Sequence, residues 1–301
     1  MRFSFWIGAG HDWNEIRRSA VHSEDAGWDG LWFADHFLPP GDDDATGLCH
    51  EVWSVLAALG DATSKVRLGP LVCGNTYRNP GVLAKQAVTA DHISGGRIVL
   101  GIGSGWMESE HTAYGIEFGS FTDRFEKLEE ALQILISLRG ETLTSFHGDR
   151  YRFVDAPLSP KPIGKLPILI GGGGERKTLR MVAQYADEWN VWADPTLMAH
   201  KISVLDEHCE RLGRDPSEIQ RSAVALLFLC DTEQQAQEMR DRGIERPCLI
   251  GTAAQLQEQL SAFAEAGVDE LIVPDFNLGG PDRKDGVADR FLAEVAAPFR
   301  N

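Results

Sequence analysis

The segment VRLGPLVCGNTYRNPGVLAKQAVTADHISGGRIVLGIG, Val66–Gly103, decides the architecture. It carries two short, continuously apolar runs, Val66–Val72 and Arg97–Ile102, on either side of an amphipathic stretch, Val82–Ile93. Strands that are apolar on both faces are strands covered by helices, and two of them joined through a helix lie parallel with a right-handed crossover. The same alternation extends in both directions. Strands are expected at Phe3–Ile7, Gly30–Ala34, Val66–Val72, Arg97–Ile102, Pro167–Ile170, Glu188–Trp192, Ser222–Leu229 and Glu270–Val273. Helices are expected at Asn14–Ala26, Glu51–Thr63, Val82–Ile93, Arg124–Arg139, Lys177–Tyr185, Leu197–Leu212, Glu233–Arg242, Ala253–Ala266 and Asp285–Ala296. The stops AGWDG (Ala26–Gly30) and AGVDE (Ala266–Glu270) each place a glycine at a helix end and an aspartate before a strand. Eight such strands fit an α/β fold of the (β/α)8 TIM-barrel type better than an open doubly wound sheet, which the periodicity alone leaves possible. The rhythm breaks at Gly140–Lys165, where HGDRYRFVDAPLSPKPIGK holds a strand-like YRFV and three prolines. This reads as an insertion between the fourth helix and the fifth strand, so residues 1–301 are expected to form a single domain.

Composition narrows the function. A formal charge of −16 argues against nucleic acid, which needs clustered cations, and against anionic membrane surfaces. The five cysteines are odd in number and lack CxxC spacing, so neither a disulfide framework nor a zinc ribbon is expected. The opening MRFSFWIGAGHDW has no basic n-region or long apolar core, and no apolar run reaches the roughly 18 residues of a membrane span. A cytoplasmic, reduced protein acting on a small molecule is expected.

In a barrel the chemistry sits where strands end and the following loops begin. Those positions hold ADHFLPP, CGNTYRNP, GIGSGWMESEH, GGGGERKT, NVWADP and PDFNLGG. GIGSGW is not the dinucleotide fingerprint: Gly101 and Gly103 would require glycine at 106, where Trp106 stands. GGGGERKT misses the P-loop because Arg176 replaces a required glycine. Even so, Gly171, Gly172, Gly173 and Gly174 before a helix allow backbone N–H groups to approach an anion, with Arg176 and Lys177 adding charge. A phosphorylated cofactor fits this loop; a tight strand-to-helix turn is the plainer alternative. Asp35 and His36 end the second strand, where a histidine can serve as acid or base with the carboxylate orienting it. A hydrogen-bonded core histidine beside a capping aspartate explains the pair equally well. Glu108, Glu110 and His111 read as a capping and salt-bridge cluster, since no third metal ligand follows by spacing and no metal is expected. Trp6, Trp13, Trp32, Phe37, Trp106 and Trp192 lie near strand ends and together offer walls for a planar ring, although packing accounts for any one of them.

Four segments carry a resemblance: SEDAGWDGLWFADHF (Ser23–Phe37), Val66–Ile116, LPILIGGGGERKTLRMVAQYADEWNVW (Leu166–Trp192) and LIGTAAQLQEQLSAFAEAGVDELIVPD (Leu249–Asp275). In this order they resemble the luciferase-like monooxygenase superfamily, and within it the coenzyme F420-dependent oxidoreductases. The resemblance implies a luciferase-like TIM barrel with the cofactor ring across its mouth. It further implies a non-prolyl cis peptide backing the ring near Leu71, Val72 and Cys73. Asp35 and His36 would lie beside the ring, Gly103, Ser104, Gly105 and Trp106 against it, and Gly171–Gly174 with Arg176 at the phosphate. A homodimer is also implied. One departure stands out: sugar-phosphate dehydrogenases of this group carry a glutamate where this chain has Trp106, so that substrate is not expected.

The resulting expectation is hydride transfer between F420 and a small organic substrate, with His36 handling the proton and Asp35 positioning it or touching the ring. Arg78, Arg176, Lys177 and Arg180 would offer a basic path for the acidic tail of F420. The rivals are an FMN-dependent monooxygenase using O2, a non-catalytic flavin-binding protein, and a barrel hydrolase, which would need paired carboxylates or a metal triad. The loops Leu38–His50 and Thr112–Thr122, which would choose the substrate, are uninformative.

Overall fold

The computed structural model describes residues 1–39 and 45–300, so residues 40–44 of the Leu38–His50 loop and the final residue of the 1–301 span lie outside the described residues. The elements run β1 (Arg2–Trp6), α1 (Trp13–Ala26), β2 (Gly30–Phe33), α2 (Val52–Ala62), β3 (Arg67–Pro70), β4 (Cys73–Gly74), α3 (Pro80–Ser94), β5 (Leu100–Gly103), α4 (Glu108–Tyr114) and α5 (Phe121–Gly140). Then come β6 (Thr144–His147), β7 (Arg152–Ala156), β8 (Ile168–Gly171), α6 (Thr178–Tyr185), β9 (Glu188–Trp192), α7 (Pro195–Leu212), β10 (Gln220–Val224) and β11 (Leu226–Leu229). The chain continues with α8 (Glu233–Arg240), β12 (Cys248–Gly251), α9 (Ala253–Glu265), β13 (Glu270–Pro274) and α10 (Pro281–Arg290), which passes into a π-helical turn over Phe291–Ala296.

The main sheet has the order β3-β2-β1-β13-β10-β9-β8-β5-β4, with every pairing parallel. β3 and β4 are two halves of one barrel strand, interrupted at Leu71–Val72, whose peptide bond is cis. Leu68 N–H donates to the Arg97 carbonyl at 3.1 Å and the Leu68 carbonyl accepts from Val99 N–H at 2.9 Å, joining β3 to the residues that lead into β5. The ring of eight strand positions therefore closes, as the alternation predicts, and the open sheet is excluded.

Short polar devices hold the strands in register. Asp29, Asp187 and Asp269 precede β2, β9 and β13. Each accepts a backbone N–H from a neighbouring strand or the residue entering it: Phe3 at 2.8 Å, Ile168 at 2.9 Å and Arg221 at 2.8 Å. The helix stops behave as read, with Gly27 at φ 98° and Gly267 at φ 88°, a region that glycine enters without steric cost. α5 starts three residues earlier than the periodicity suggests because Ser120 and Asp123 form a capping box.

The barrel interior is layered. At the base, the first residues of β3, β9, β10 and β13 meet: Arg67 donates to Glu270 at 3.0 Å and to Glu188, and Gln220 donates to Glu270 at 2.8 Å. Trp32 Nε1 adds a further bond to Glu270 at 3.0 Å. Above this lie Trp32, Val99, Leu169, Val224 and Ile272, all buried, then Trp6 and Leu71. Burial disfavours the Glu270 charge, but Arg67 and Arg2 outweigh it and hold the carboxyl below the usual range.

Three elements differ from the periodic reading. Ser222–Leu229 is not one strand: it breaks at Ala225, and β11 leaves the barrel to pair in parallel with β12, a strand too short to read. The insertion forms an antiparallel hairpin, β6 with β7, rather than a lone YRFV strand. The segment after β5 holds the seven-residue helix α4, whose Glu110 and His111 are buried.

Replacing Arg67 with leucine leaves buried Glu188 without its cation and buried Glu270 with only the more distant Arg2, at 3.5 Å. Stability in equilibrium urea unfolding is expected to fall by about 3–5 kcal/mol at neutral pH. Because Glu270 is held low in the folded state, its contribution is present above the ordinary carboxylate value of 4.5 and is lost as pH falls through the folded value. The gap between Arg67→Leu and the parent is therefore expected to narrow below that pH; a gap that stays constant would show that the cluster is not charged.

Candidate active site

The C-terminal ends of the strands surround a cavity of about 580 Å³, within the range of small-molecule sites. Asp35 and His36 follow β2; Leu71, Val72 and Cys73 bridge β3 and β4; Gly103, Ser104, Gly105 and Trp106 follow β5; Gly171, Gly172 and Gly173 follow β8. All twelve of these residues, which the sequence singles out, line the cavity. Gly174 and Arg176 do not: Gly174 lies beside Thr178, and Arg176 is exposed at the head of α6. Of the aromatic residues, Trp6, Trp106 and Trp192 line it, whereas Trp13 packs against the outer core, Trp32 fills the barrel, and Phe37 packs on Tyr77 and Tyr114.

The glycines at β5 and β8 have a steric reason. A Cβ on Gly103 or Gly171 would come within 2.9 Å or 2.8 Å of a Val72 methyl. Val72 can thus protrude between the two strand ends only because both are bare. The four-glycine run is therefore partly a packing requirement. Gly172 is further tied by its N–H to the Asn190 carbonyl at 2.9 Å and by its own carbonyl to Trp189 Nε1 at 2.8 Å.

Asp35 and His36 do not form the acid–base pair that adjacency suggests. Neighbours along an extended chain point to opposite sides. The Asp35 carboxylate is buried and receives Arg78 through two bonds, at 2.6 Å and 3.0 Å, and Gly74 N–H at 3.2 Å. Arg78 also reaches Glu51 at 2.6 Å and lies over the Phe37 ring. The group that orients His36 is instead Glu110, 74 residues away, at 3.1 Å from Nδ1. Glu110 is fully buried and also accepts the N–H groups of Phe37 at 2.6 Å and Leu38 at 2.9 Å, together with the Tyr77 hydroxyl. Burial opposes its ionisation, yet the bonds from His36, Tyr77 and the Leu38 amide hold its carboxyl below the usual range. Burial and the Glu110 carboxylate in turn push the Tyr77 phenol well up. His36 Nε2 has no hydrogen-bond partner among the described residues, and its ring meets Trp106 edge-on with centroids 5.5 Å apart. The surface cluster expected at Glu108–His111 thus divides: Glu108 is exposed, Glu110 holds His36, and His111 bonds the Met107 carbonyl at 2.8 Å and Thr76 Oγ1 at 2.6 Å.

Of the four basic residues expected to form an exit path, Arg78 is committed to Asp35 and Glu51, and Arg180 to Glu129 at 2.8 Å. Lys177 lies 5.3 Å from the Phe121 and Phe125 rings. Tyr77, Asn190, Val191 and Phe276, also on the cavity wall, lie in the strand-end segments CGNTYRNP, NVWADP and PDFNLGG without being singled out there, and sequence reading missed Arg246 and Pro247 altogether. Arg246 and Pro247 precede the unread strand β12, so no strand-end rule pointed to them.

Among known proteins, the luciferase-like monooxygenase profile matches residues 1–244. An F420-dependent glucose-6-phosphate dehydrogenase of Amycolatopsis mediterranei is 34% identical over 56% of this chain and 48% of its own. The chain thus spans about half the length of that relative. The FMNH(2)-dependent dimethylsulfone monooxygenase of Pseudomonas putida is 29% identical over 74% of this chain and 73% of its own. The solved structure of an F420-dependent secondary alcohol dehydrogenase, bound to an F420-acetone adduct, superposes with a TM-score of 0.84 over the full length of both chains at 19% identity, a likeness of fold.

Glu110→Gln keeps the shape and removes the charge. It is expected to cost about 1–3 kcal/mol, the range for disturbing a buried charged hydrogen-bond acceptor, and to let Tyr77 ionise at lower pH. Equilibrium urea unfolding reads the first effect, and tyrosinate absorbance of Glu110→Gln against a Glu110→Gln, Tyr77→Phe control reads the second; unchanged stability in Glu110→Gln would mean that the Glu110 charge does not hold this cluster.

Proposed function

Because this chain is an enzyme of the luciferase-like monooxygenase family, we propose that it is an oxidoreductase using coenzyme F420 to move a hydride to or from a small organic substrate. The observation that carries this reading is His36, an imidazole on the cavity wall with Nδ1 anchored by a buried carboxylate and Nε2 unpartnered among the described residues. With Glu110 ionised, Nδ1 carries the proton that faces it; Nε2 is then a proton acceptor in the neutral imidazole and a proton donor in the imidazolium. That is the equipment for the proton that accompanies a hydride.

The lining suits a flat ring with a phosphate-bearing tail. Val72 protrudes between two glycine-only strand ends, and Leu71 and Cys73 flank it, giving an apolar backing. Gly103–Trp106 would border the ring. Gly171–Gly174 would border the phosphate; because the Gly172 N–H is given to the Asn190 carbonyl, the donors would be the amides of Gly173 and Gly174, with Arg176 at the outer side. Asp35, neutralised by Arg78, would fix the β4 backbone beside the ring through Gly74. When bound, the deazaflavin supplies the hydride acceptor or donor; the protein supplies orientation and electrostatics.

FMN is the second reading, favoured by the Pseudomonas putida relative, which matches a larger share of the chain than the Amycolatopsis mediterranei relative does. A carrier with no catalysis would have no use for a buried carboxylate behind a cavity histidine. The proposal also takes residues 1–301 as one unit, pairing as a homodimer in a reducing cytoplasm where the five free thiols persist.

Titration with F420 and with FMN, read by fluorescence, tests the cofactor. Tighter F420 binding is expected; FMN preference would transfer the assignment to a monooxygenase. In F420-loaded protein, His36→Ala is expected to keep cofactor affinity and to lose about 10²–10⁴-fold in turnover. Full turnover in that variant would remove His36 from the reaction.

A further inference from the structure

The cavity wall divides by strand. The residues assigned to the cofactor follow β2, β3–β4, β5 and β8. The remaining half of the ring, β9, β10, β13 and β1, contributes Trp6, Trp192, Phe276 and, from the chain entering β12, Arg246. Trp6 packs against Trp192 with centroids 5.9 Å apart and against Phe276 at 5.2 Å, edge-on. The Arg246 guanidinium lies 5.1 Å from the centre of the Trp192 ring.

Charge on this wall is unbalanced. Among the described residues, Arg246 is the only lysine or arginine lining the cavity, and no carboxylate pairs with it. The one carboxylate on the lining among the described residues, Asp35, is already neutralised by Arg78. Side-chain hydrogen-bonding groups are few here: the Asn190 amide nitrogen is spent on Ser222 at 2.9 Å, the neighbouring wall is Val191 and Pro247, and the buried Trp6 Nε1 is a donor without a partner among the described residues. A polyol would leave its hydroxyls unpaired against such a surface, which costs affinity. A flat unsaturated body stacks well on aromatic faces, and one anionic group satisfies the guanidinium, which matches a carboxylate in a fork.

Resting on the proposed function for the same cavity, we propose that this half is the substrate site and that it takes a planar, unsaturated or aromatic compound bearing one anionic group, recognised by Arg246.

Calorimetric titration tests this with trans-cinnamate, its neutral amide and a hexose phosphate as probes, in the absence and presence of F420, on the parent and on Arg246→Gln. The acid is expected to bind about tenfold more tightly than the amide, with Arg246→Gln abolishing that difference and leaving F420 affinity unchanged. Retained discrimination in Arg246→Lys together with its loss in Arg246→Gln would support recognition by charge. Equal binding of acid and amide, no binding of either at millimolar concentration, or a preference for the hexose phosphate would overturn the proposal. So would loss of F420 affinity in Arg246→Gln, which would place the guanidinium on the cofactor tail. Failure of the parent to bind F420 counts against the cofactor assignment alone, because the cofactor-free titrations still decide the role of Arg246.

Discussion

A single arginine at the bottom of the barrel sets the terms for everything above it. Arg67 opens β3 and holds Glu188 and Glu270, which open β9 and β13 across the ring. Three strands from different parts of the chain are thereby tied at one level, and Gln220 and Trp32 add two more. Buried charges at that depth persist only when paired, so the register of those strands is coupled to satisfying this cluster. The base is closed by charge and the middle filled by Trp32, Val99, Leu169, Val224 and Ile272, and the cavity lies above them at the strand C-termini.

The cavity rests on a second buried carboxylate. Glu110 gathers the imidazole of His36, two backbone N–H groups of the following loop and the hydroxyl of Tyr77. It thus fixes the segment after β2 to the helix after β5 and sets the imidazole proton in the same stroke. Asp35, which adjacency offered as the partner of His36, is occupied in joining β4 and α2 through Arg78. Both residues of the Asp35–His36 pair border the cavity, but Asp35 spends its carboxylate on the framework whereas His36 leaves Nε2 without a partner among the described residues.

Glycine plays two roles here that composition cannot separate. At Gly103 and Gly171 its lack of a side chain admits Val72 between strand ends. At the head of α6 the same run leaves backbone exposed near a helix start, which is the arrangement suited to an anion. Both follow from the absence of a Cβ, so the packing explanation and the binding explanation are not competitors.

What the sequence determined by itself was everything carried by local period and local chemistry. Runs apolar on both faces between amphipathic stretches marked the eight barrel strands, the AGWDG and AGVDE stops marked the starts of two of them, and strand-end logic together with the family resemblance picked out twelve residues that do line the cavity. Hidden were features whose cause lies far along the chain. Glu110 finds His36 across 74 residues, and nothing in MESEH distinguishes a buried carboxylate from a surface one. Four-residue β12 shows no period of its own and exists because β11 offers it an edge. Arg246 reaches the wall only through that pairing. Tertiary structure alone decided these because burial and pairing are properties of the closed barrel, and only closure brings together charges and edges that are remote in sequence.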